Sequence, residues 1–219
     1  MPRLLFEKTG NAVWISHLDL MRVFQLEFKR ARLPLTHTQV FNQRPSVSIA
    51  LPLSVGVESR CELLDFDLDG CDVSLDEIKD RLNTSLVAGV KVLEVYADGR
   101  KIRDLSLLCC NIELQYDNGV PDGAADAISN LFAQDEVIVS KKTKRGIQDQ
   151  NIVTMIRKLN VDAIGKRTLA VDCLLCCQNP TLNTAQIPAA IEHYLPELKP
   201  DYYKCSRIEI YDNNEIIFR

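Results

Sequence analysis

The sequence predicts an α+β protein made of two ferredoxin-like (βαββαβ) halves in tandem. Short apolar runs alternate as half-buried strands do, and other segments repeat their apolar residues at helical spacing. The order strand, helix, two strands, helix, strand occurs twice, without identity between the two copies. A chain of 219 residues has room for two small domains, predicted at 1–98 and 105–219.

In the first half, capping residues mark both helices. Ser16, with Asp19 three residues on, begins a helix that Pro34 ends, and Ser74 with Glu77 begins the second. The strands are predicted at 3–8, 36–40, 47–51, 61–68 and 90–97.

The second half repeats this order with one insertion. Strands are predicted at 107–116, 136–142, 168–177 and 203–218, and helices at 123–133 and 184–195. Between the middle strands, the segment 149–159 carries Ile152, Val153, Ile156 and Leu159, a spacing that predicts an inserted short helix.

Composition and charge limit the class of protein. Hydrophobic residues make up 46% and charged residues 26%, which is typical of globular proteins. No apolar run approaches the roughly 20 residues that cross a bilayer, and no secretion signal is visible, so we expect a cytoplasmic protein without a membrane partner. The net charge is −4, yet residues 1–60 carry eight Lys/Arg against four Asp/Glu. Such sorting can create a local basic surface on an acidic protein.

The eight cysteines are predicted to be buried core thiols. Cys173, Cys176 and Cys177 fall in an apolar strand, where neighbouring side chains point to opposite faces, whereas structural zinc favours paired C-x-x-C knuckles in turns. We therefore predict no metal site. Phosphate-binding glycine loops and iron–sulfur motifs are also missing from the sequence, and we predict no cofactor.

His17 is the candidate catalytic residue. The pattern Ser-His-x-Asp suggests a catalytic cluster, but capping already accounts for Ser16 and Asp19. Two interpretations stay open: a hydrogen-bonded structural histidine, or a proton donor and acceptor.

The segment from Phe41 to Pro45 has two interpretations as well. Asn and Pro favour a turn. Alternatively, Asn42 reads a base edge and Arg44 binds phosphate, with Arg22 and Lys29 extending the basic surface along the first helix.

A second basic segment lies at 141–145, where Lys141, Lys142, Lys144 and Arg145 follow a predicted strand. The run is either a solvated loop or a phosphate-contacting site with salt-sensitive affinity. Together the two basic segments make RNA a candidate ligand.

Several motifs resemble the radical-SAM-linked protein family. They are F-E-K-T-G at 6–10, S-H-L-D-L-M-R at 16–22, K-R-A-R-L-P-L at 29–35, S-I-A-L-P-L-S-V-G-V-E-S at 48–59 and K-K-T-K-R-G at 141–146. The resemblance implies a domain of unknown function encoded beside, or fused to, a radical SAM protein, which would be its partner. The family's usual Gly-Phe-Asn-Pro-His-Pro corner is replaced here by 40–45, so no role of its histidine transfers.

The sequence therefore favours a non-catalytic accessory module that binds RNA for a radical SAM enzyme in RNA modification or processing. Its candidate binding residues are Lys8, Arg22, Lys29, Asn42, Arg44, Ser48, Glu58, Lys141, Lys142, Lys144 and Arg145. The alternatives are a metal-independent endoribonuclease that uses His17 and a scaffold that only docks the radical SAM protein.

Overall fold

The chain folds into two compact units of mixed structure, which confirms the α+β part of the predicted fold class. The computed structural model describes residues 1–37, 44–70, 72–143 and 146–219, with the backbone alone at 142 and 143. Unit 1 comprises Met1–Asp104 with Phe218–Arg219, and unit 2 comprises Leu105–Ile217. The last two residues thus group with unit 1, whereas the sequence placed them in the second half.

Unit 1 is a four-stranded antiparallel sheet with two helices. Its elements are β1 (Arg3–Lys8), α1 (His17–Arg30), β2 (Val47–Ile49), β3 (Glu58–Phe66), α2 (Leu75–Asn83) and β4 (Val90–Tyr96). The strands lie in the order β4-β1-β3-β2. The predicted strand 36–40 is described only at its first two residues, and the remainder lies outside the described residues.

Helix α1 forms where the sequence predicted it, and its apolar stripe supplies the core of unit 1. The Ser16 hydroxyl accepts the Asp19 amide at 3.2 Å, so the predicted N-cap is confirmed. Phe24 packs edge-on against Phe6, with ring centroids 4.7 Å apart, and both rings are fully buried. Burial of each such ring stabilises the unit by about 1.5–3 kcal/mol.

Strand β3 begins three residues before its predicted start. The register of β1 with β3 shifts by one residue between the pairs Phe6–Glu62 and Lys8–Ser59, so a bulge with one extra residue lies in β3. The pairing therefore continues beyond the bulge to Glu58, and residues 58–60 belong to the sheet rather than to a loop.

Unit 2 contains four antiparallel sheet strands and a separate hairpin. Its elements are β5 (Leu105–Gln115), α3 (Ala124–Phe132), β6 (Ile138–Thr143), β7 (Gly146–Asn151), β8 (Ile156–Ala163), β9 (Thr168–Cys176), α4 (Gln186–Tyr194) and β10 (Tyr202–Asp212). The sheet has the order β10-β5-β9-β8, and β6 and β7 pair as a two-stranded hairpin.

The helix predicted at 149–159 is wrong. The segment holds the end of β7, a 3₁₀ turn at Val153–Met155 and the first half of β8. The helical spacing was coincidental, because residues 159–162 alternate as in a strand. Leu159 is half-buried and Val161 is buried, whereas Asn160 and Asp162 are exposed.

No helix in the described part of the chain is both long and apolar enough to cross a membrane.

Candidate nucleic-acid interface

Some of the predicted site residues of unit 1 lie around the segment that joins β1 to α1. This segment forms a 3₁₀ turn at Gly10–Trp14. We use the name Trp14 corner for Lys8, residues 10–17 and residues 56–59. Three of the predicted residues, Lys8, His17 and Glu58, belong to it.

Lys8, one of the predicted binding residues, is completely buried. Its ammonium group donates to the carbonyl oxygens of Val13 at 3.1 Å and Ile15 at 2.7 Å. A buried ammonium is tolerated only where hydrogen bonds replace its hydration. Lys8 therefore fixes the backbone on both sides of Trp14.

The loop before β3 completes the corner. The Gly56 amide donates to the Val13 carbonyl at 2.9 Å, and the Gly10 amide donates to Glu58 Oε1 at 3.4 Å. Gly56 has φ +86°, and a Cβ built there would contact the Trp14 ring at 3.5 Å. Glu58 thus contributes to holding the turn.

Trp14 is a candidate functional residue that the sequence interpretation missed. Its side chain is 65% exposed although Val13 beside it is buried. The available signal was weak: it is the only tryptophan in the chain, and it lies outside any periodic segment.

His17 is half-buried at the first residue of α1. Among the described residues, none forms a hydrogen bond with its imidazole. Ser16 and Asp19 hydrogen bond with each other, Oγ to Oδ2 at 2.7 Å. The hydrogen bond from Ser16 and the neighbouring Arg22 guanidinium lower the pKa of Asp19. The described geometry contains no catalytic pair built on Ser-His-x-Asp.

The other predicted residues of unit 1 are spread over its surface. Arg22 is exposed and pairs with Asp19 at 2.8 Å, and Lys29 is exposed further along α1. Arg44 is exposed, and Ser48 is an exposed residue of β2 opposite Asp65. Asn42 lies outside the described residues.

The second predicted basic site is the hairpin of β6 and β7, which we call the basic hairpin (residues 138–151). Lys141 is half-buried and pairs with Gln148, and the backbone of Lys142 pairs with Ile147. Ile147 is 76% exposed. Lys144, Arg145 and the side chain of Lys142 lie outside the described residues. In chain order, the four basic residues therefore run along β6 and into the connection between the strands.

Two side chains hold the base of the basic hairpin. Asn151 donates to the Asp135 carbonyl at 3.0 Å and accepts the Val137 amide at 3.1 Å. The Tyr194 hydroxyl on α4 accepts the Ile138 amide at 2.9 Å and donates to the Ile138 carbonyl at 3.2 Å. The hairpin is therefore anchored at its base, while its strands at 146–149 are exposed.

The thiols of unit 2 form part of its core. Cys110, Cys173 and Cys205 are buried, and the Sγ atoms of the first two lie 3.3 Å apart. Hydrogen bonding to Cys173 and burial raise the pKa of Cys110, and hydrogen bonding to Cys110 and burial raise that of Cys205. Cys110 and Cys205 are thus core thiols and not activated nucleophiles. Of the described cysteines, Cys61, Cys110, Cys173, Cys177 and Cys205 are buried as predicted, whereas Cys109 and Cys176 are half-buried.

A cavity of about 370 Å³ in unit 2 is lined by residues of β5, β8, β9 and β10. Its lining includes Cys109, Leu174 and Asp172, which accepts a hydrogen bond from Asn111 at 2.8 Å. Burial, with the nearby Asp172 and Glu209 carboxylates, raises the pKa of Cys109. Among the residues that the structure describes, no group of three or more His, Cys, Asp or Glu side chains is placed to hold a metal ion.

Comparison with known proteins identifies the family. A family described as an uncharacterized protein conserved in bacteria, DUF2344, matches residues 2–184. The chain belongs to the DUF2344 family. No curated protein matches this DUF2344 chain.

Two solved structures are similar to this chain. A chain of a Cbf5-Nop10-Gar1 complex superposes with a TM-score of 0.51 at 10% identity, and the match covers 95% of this chain and 48% of that one. A chain of an H/ACA RNP bound to a substrate RNA containing 2′-deoxyuridine gives a TM-score of 0.47 at 9% identity, covering 94% and 46%. The DUF2344 chain thus spans about half the length of the chains that it matches. At such identities the likeness concerns the fold alone.

Proposed function

We propose that this DUF2344 protein is a non-catalytic, cytoplasmic accessory module for a radical SAM enzyme in RNA modification or processing. It binds the RNA, either tRNA or rRNA. The observation that carries the proposal is the basic hairpin. Its base is held by Asn151 and Tyr194, and its sequence places four Lys/Arg between 141 and 145.

The basic side chains of a two-stranded ribbon can follow a phosphate backbone. Anchoring at the base lowers the entropy cost of binding, because fewer degrees of freedom are lost. Cationic side chains that replace counterions along the backbone supply most of the affinity that does not depend on sequence. The net charge of −4 shows that this affinity must come from a local surface rather than from the whole protein.

We infer that each unit is a ferredoxin-like half. The strand orders β4-β1-β3-β2 and β10-β5-β9-β8 support this inference, because each places the first and third strands of a βαββαβ sequence at the centre. The basic hairpin would then be an insertion between the first helix and the second strand of the second half.

The radical SAM partner is proposed from the sequence motifs at 6–10, 16–22, 29–35 and 48–59. Parts of these motifs build the Trp14 corner and the N-terminus of α1. Copurification with the radical SAM protein encoded nearby tests this part of the proposal separately from RNA binding.

The test of RNA binding is a fluorescence-anisotropy titration of labelled tRNA across a salt series. The double variant Lys141→Glu/Lys142→Glu should weaken binding at least tenfold and reduce the slope of log K against log salt by about 1.4, since each phosphate contact on a single strand contributes about 0.7. The matched control is Lys91→Glu/Lys101→Glu, which makes the same charge change at two exposed lysines of unit 1.

Equal loss of affinity in both double variants would show that only net charge matters and would remove the hairpin from the proposal. Absence of binding at low salt, together with successful copurification, would favour the docking scaffold instead.

A further inference from the structure

The exposure of Trp14 is unusual for its position in the fold. Its ring is 65% exposed, whereas Ala12 and Val13, in the same 3₁₀ turn, are 2% and 8% exposed. Tryptophan carries the largest apolar area of any side chain, and folding normally buries most of it. A tryptophan left in solvent on a fixed turn is therefore a candidate contact for a ligand.

The backbone that carries this ring is held from two directions. The buried Lys8 ammonium binds the carbonyl groups of Val13 and Ile15, the residues on either side of Trp14. The Gly56 amide also donates to the Val13 carbonyl, at 2.9 Å. The position of the ring is thus set before any ligand binds, which reduces the entropy lost on binding.

Gly56 allows the ring to lie close to the neighbouring loop. A Cβ at this position would lie 3.5 Å from Trp14 Cζ3 and 3.9 Å from Cη2, so the ring is already in near contact with the loop. The loop supports the ring on this side, and most of the remaining ring surface meets solvent.

The exposed side chains of the turn, of the start of α1 and of the neighbouring loop are both polar and apolar. Asn11 and the ion pair of Arg22 and Asp19 are exposed and polar, whereas Leu18 and Val55 are apolar and 69% and 53% exposed. The flat ring of Trp14, fixed on its turn, suits an unpaired base, which stacks on the ring and leaves its sugar and phosphate in water.

We propose that Trp14 is a stacking platform for an unpaired RNA base. This inference rests on the proposed RNA-binding function and adds to it a contact in unit 1 that is distinct from the phosphate contacts of the basic hairpin. Because every base has a flat π-face, the platform selects single-stranded RNA over duplex RNA without selecting a particular base.

The experiment uses the single tryptophan as its own probe, since all tryptophan emission comes from Trp14. Oligouridylate is titrated into the full chain, and an abasic oligonucleotide of the same length serves as the charge-matched ligand. We expect oligouridylate to quench the emission and the abasic strand to leave it unchanged while both bind, as followed by anisotropy of a label on each strand.

Variants then separate stacking from general apolar contact. Trp14→Leu should lower the affinity for oligouridylate about 5- to 150-fold, the effect of losing one stacked base, while Trp14→Phe should retain much of it. Leu18→Ala is the control, because Leu18 is a neighbouring apolar side chain that is 69% exposed, and its affinity should match that of the unchanged protein.

The outcomes are distinguishable. Oligouridylate binding without quenching, together with unchanged affinity of Trp14→Leu, would overturn the platform and leave the proposed function intact. Failure of both strands to bind at low salt would overturn both. Unchanged RNA affinity with weakened copurification of the radical SAM protein by Trp14→Leu would make the ring a protein-docking site and also overturn the platform.

Discussion

The two units use lysine in opposite ways. In unit 1, Lys8 is completely buried and binds two backbone carbonyl groups, so its charge serves the fold. In unit 2, Lys141 belongs to a hairpin whose strands pair with each other, and much of that hairpin is exposed. The sequence placed both lysines among the binding residues. Only the surrounding structure separates a lysine that holds a turn from one that can reach a ligand.

This difference predicts how each region responds to mutation. Changes in the Trp14 corner should lower stability, and should alter binding only through the position of the ring. Changes in the basic hairpin should alter binding, with a small effect on global unfolding.

The largest effect is expected at Lys8. Lys8→Met should lower the free energy of unfolding by about 2–3 kcal/mol, because the Ile15 carbonyl loses the ammonium donor and the Val13 carbonyl keeps only the Gly56 amide. Lys141→Met, the matched change in the hairpin, should stay within about 0.5 kcal/mol. Urea unfolding of the two variants measures both values. Equal losses would show that burial does not distinguish these lysines.

The next effect concerns Gly89, which precedes β4 and accepts the Thr9 amide at 2.7 Å. A Cβ there would lie 2.3 Å from the Thr9 carbonyl oxygen and 2.9 Å from Ala12 Cβ, and φ is +87°. Gly89→Ala should therefore cost at least about 2 kcal/mol, from backbone strain and from displacement of the turn.

Gly10→Ala is its control, since Gly10 also has positive φ, +54°, but no atom lies within 4 Å of an added Cβ. We expect Gly10→Ala to lower the free energy of unfolding by about 1 kcal/mol, from the backbone conformation alone. Thermal unfolding of the pair gives the difference, and a Gly10 effect as large as that of Gly89 would show that the close contact with Thr9 is unimportant.

The sequence predicted unit 1 more accurately where local chemistry decides the structure. Ser16 and Ser74 were identified as N-caps, and both accept the amide three residues on at 3.2 Å. Capping depends on a four-residue pattern, so it can be predicted from the sequence. The Trp14 corner was not, because the groups that hold it, the Lys8 ammonium and the Gly56 amide, come from separate segments that meet only in the fold.

In unit 2, the error at 149–159 has a similar cause. Ile152 and Ile156 are four residues apart, as on one helix face. Asn151, however, holds the backbone between them in a conformation that is not an α-helix. Its side chain accepts the amides of Val137 at 3.1 Å and Val153 at 3.3 Å, which starts a turn rather than a helix. An asparagine that organises two distant backbone segments leaves no periodic signal.

Asn151 provides the third prediction. Asn151→Ala removes its bonds to Val137, Val153 and Asp135, and should destabilise the hairpin by about 1–2 kcal/mol. Amide hydrogen exchange should show faster exchange at 138–151 than in the unchanged protein, with the amides of β5 unaffected. Accelerated exchange throughout unit 2 would mean that the hairpin and the sheet unfold together, which would contradict the separation of binding and stability in this region.

The smallest effect compares two helix caps within unit 1. Ser16 and Ser74 bind the N3 amide at the same distance, but Ser16 also donates to Asp19 Oδ2 at 2.7 Å. Ser74→Ala should cost about 1 kcal/mol, the usual value of a lost cap, and Ser16→Ala should cost slightly more because the Asp19 carboxylate loses a donor. Paired urea unfolding curves resolve the difference.

Only Ser16 has a consequence for binding, since it adjoins Trp14. Ser16→Ala should broaden the emission of Trp14, whereas Ser74→Ala should leave that emission unchanged. Identical emission in the two variants would show that Lys8 and Gly56 hold the ring without help from the start of α1.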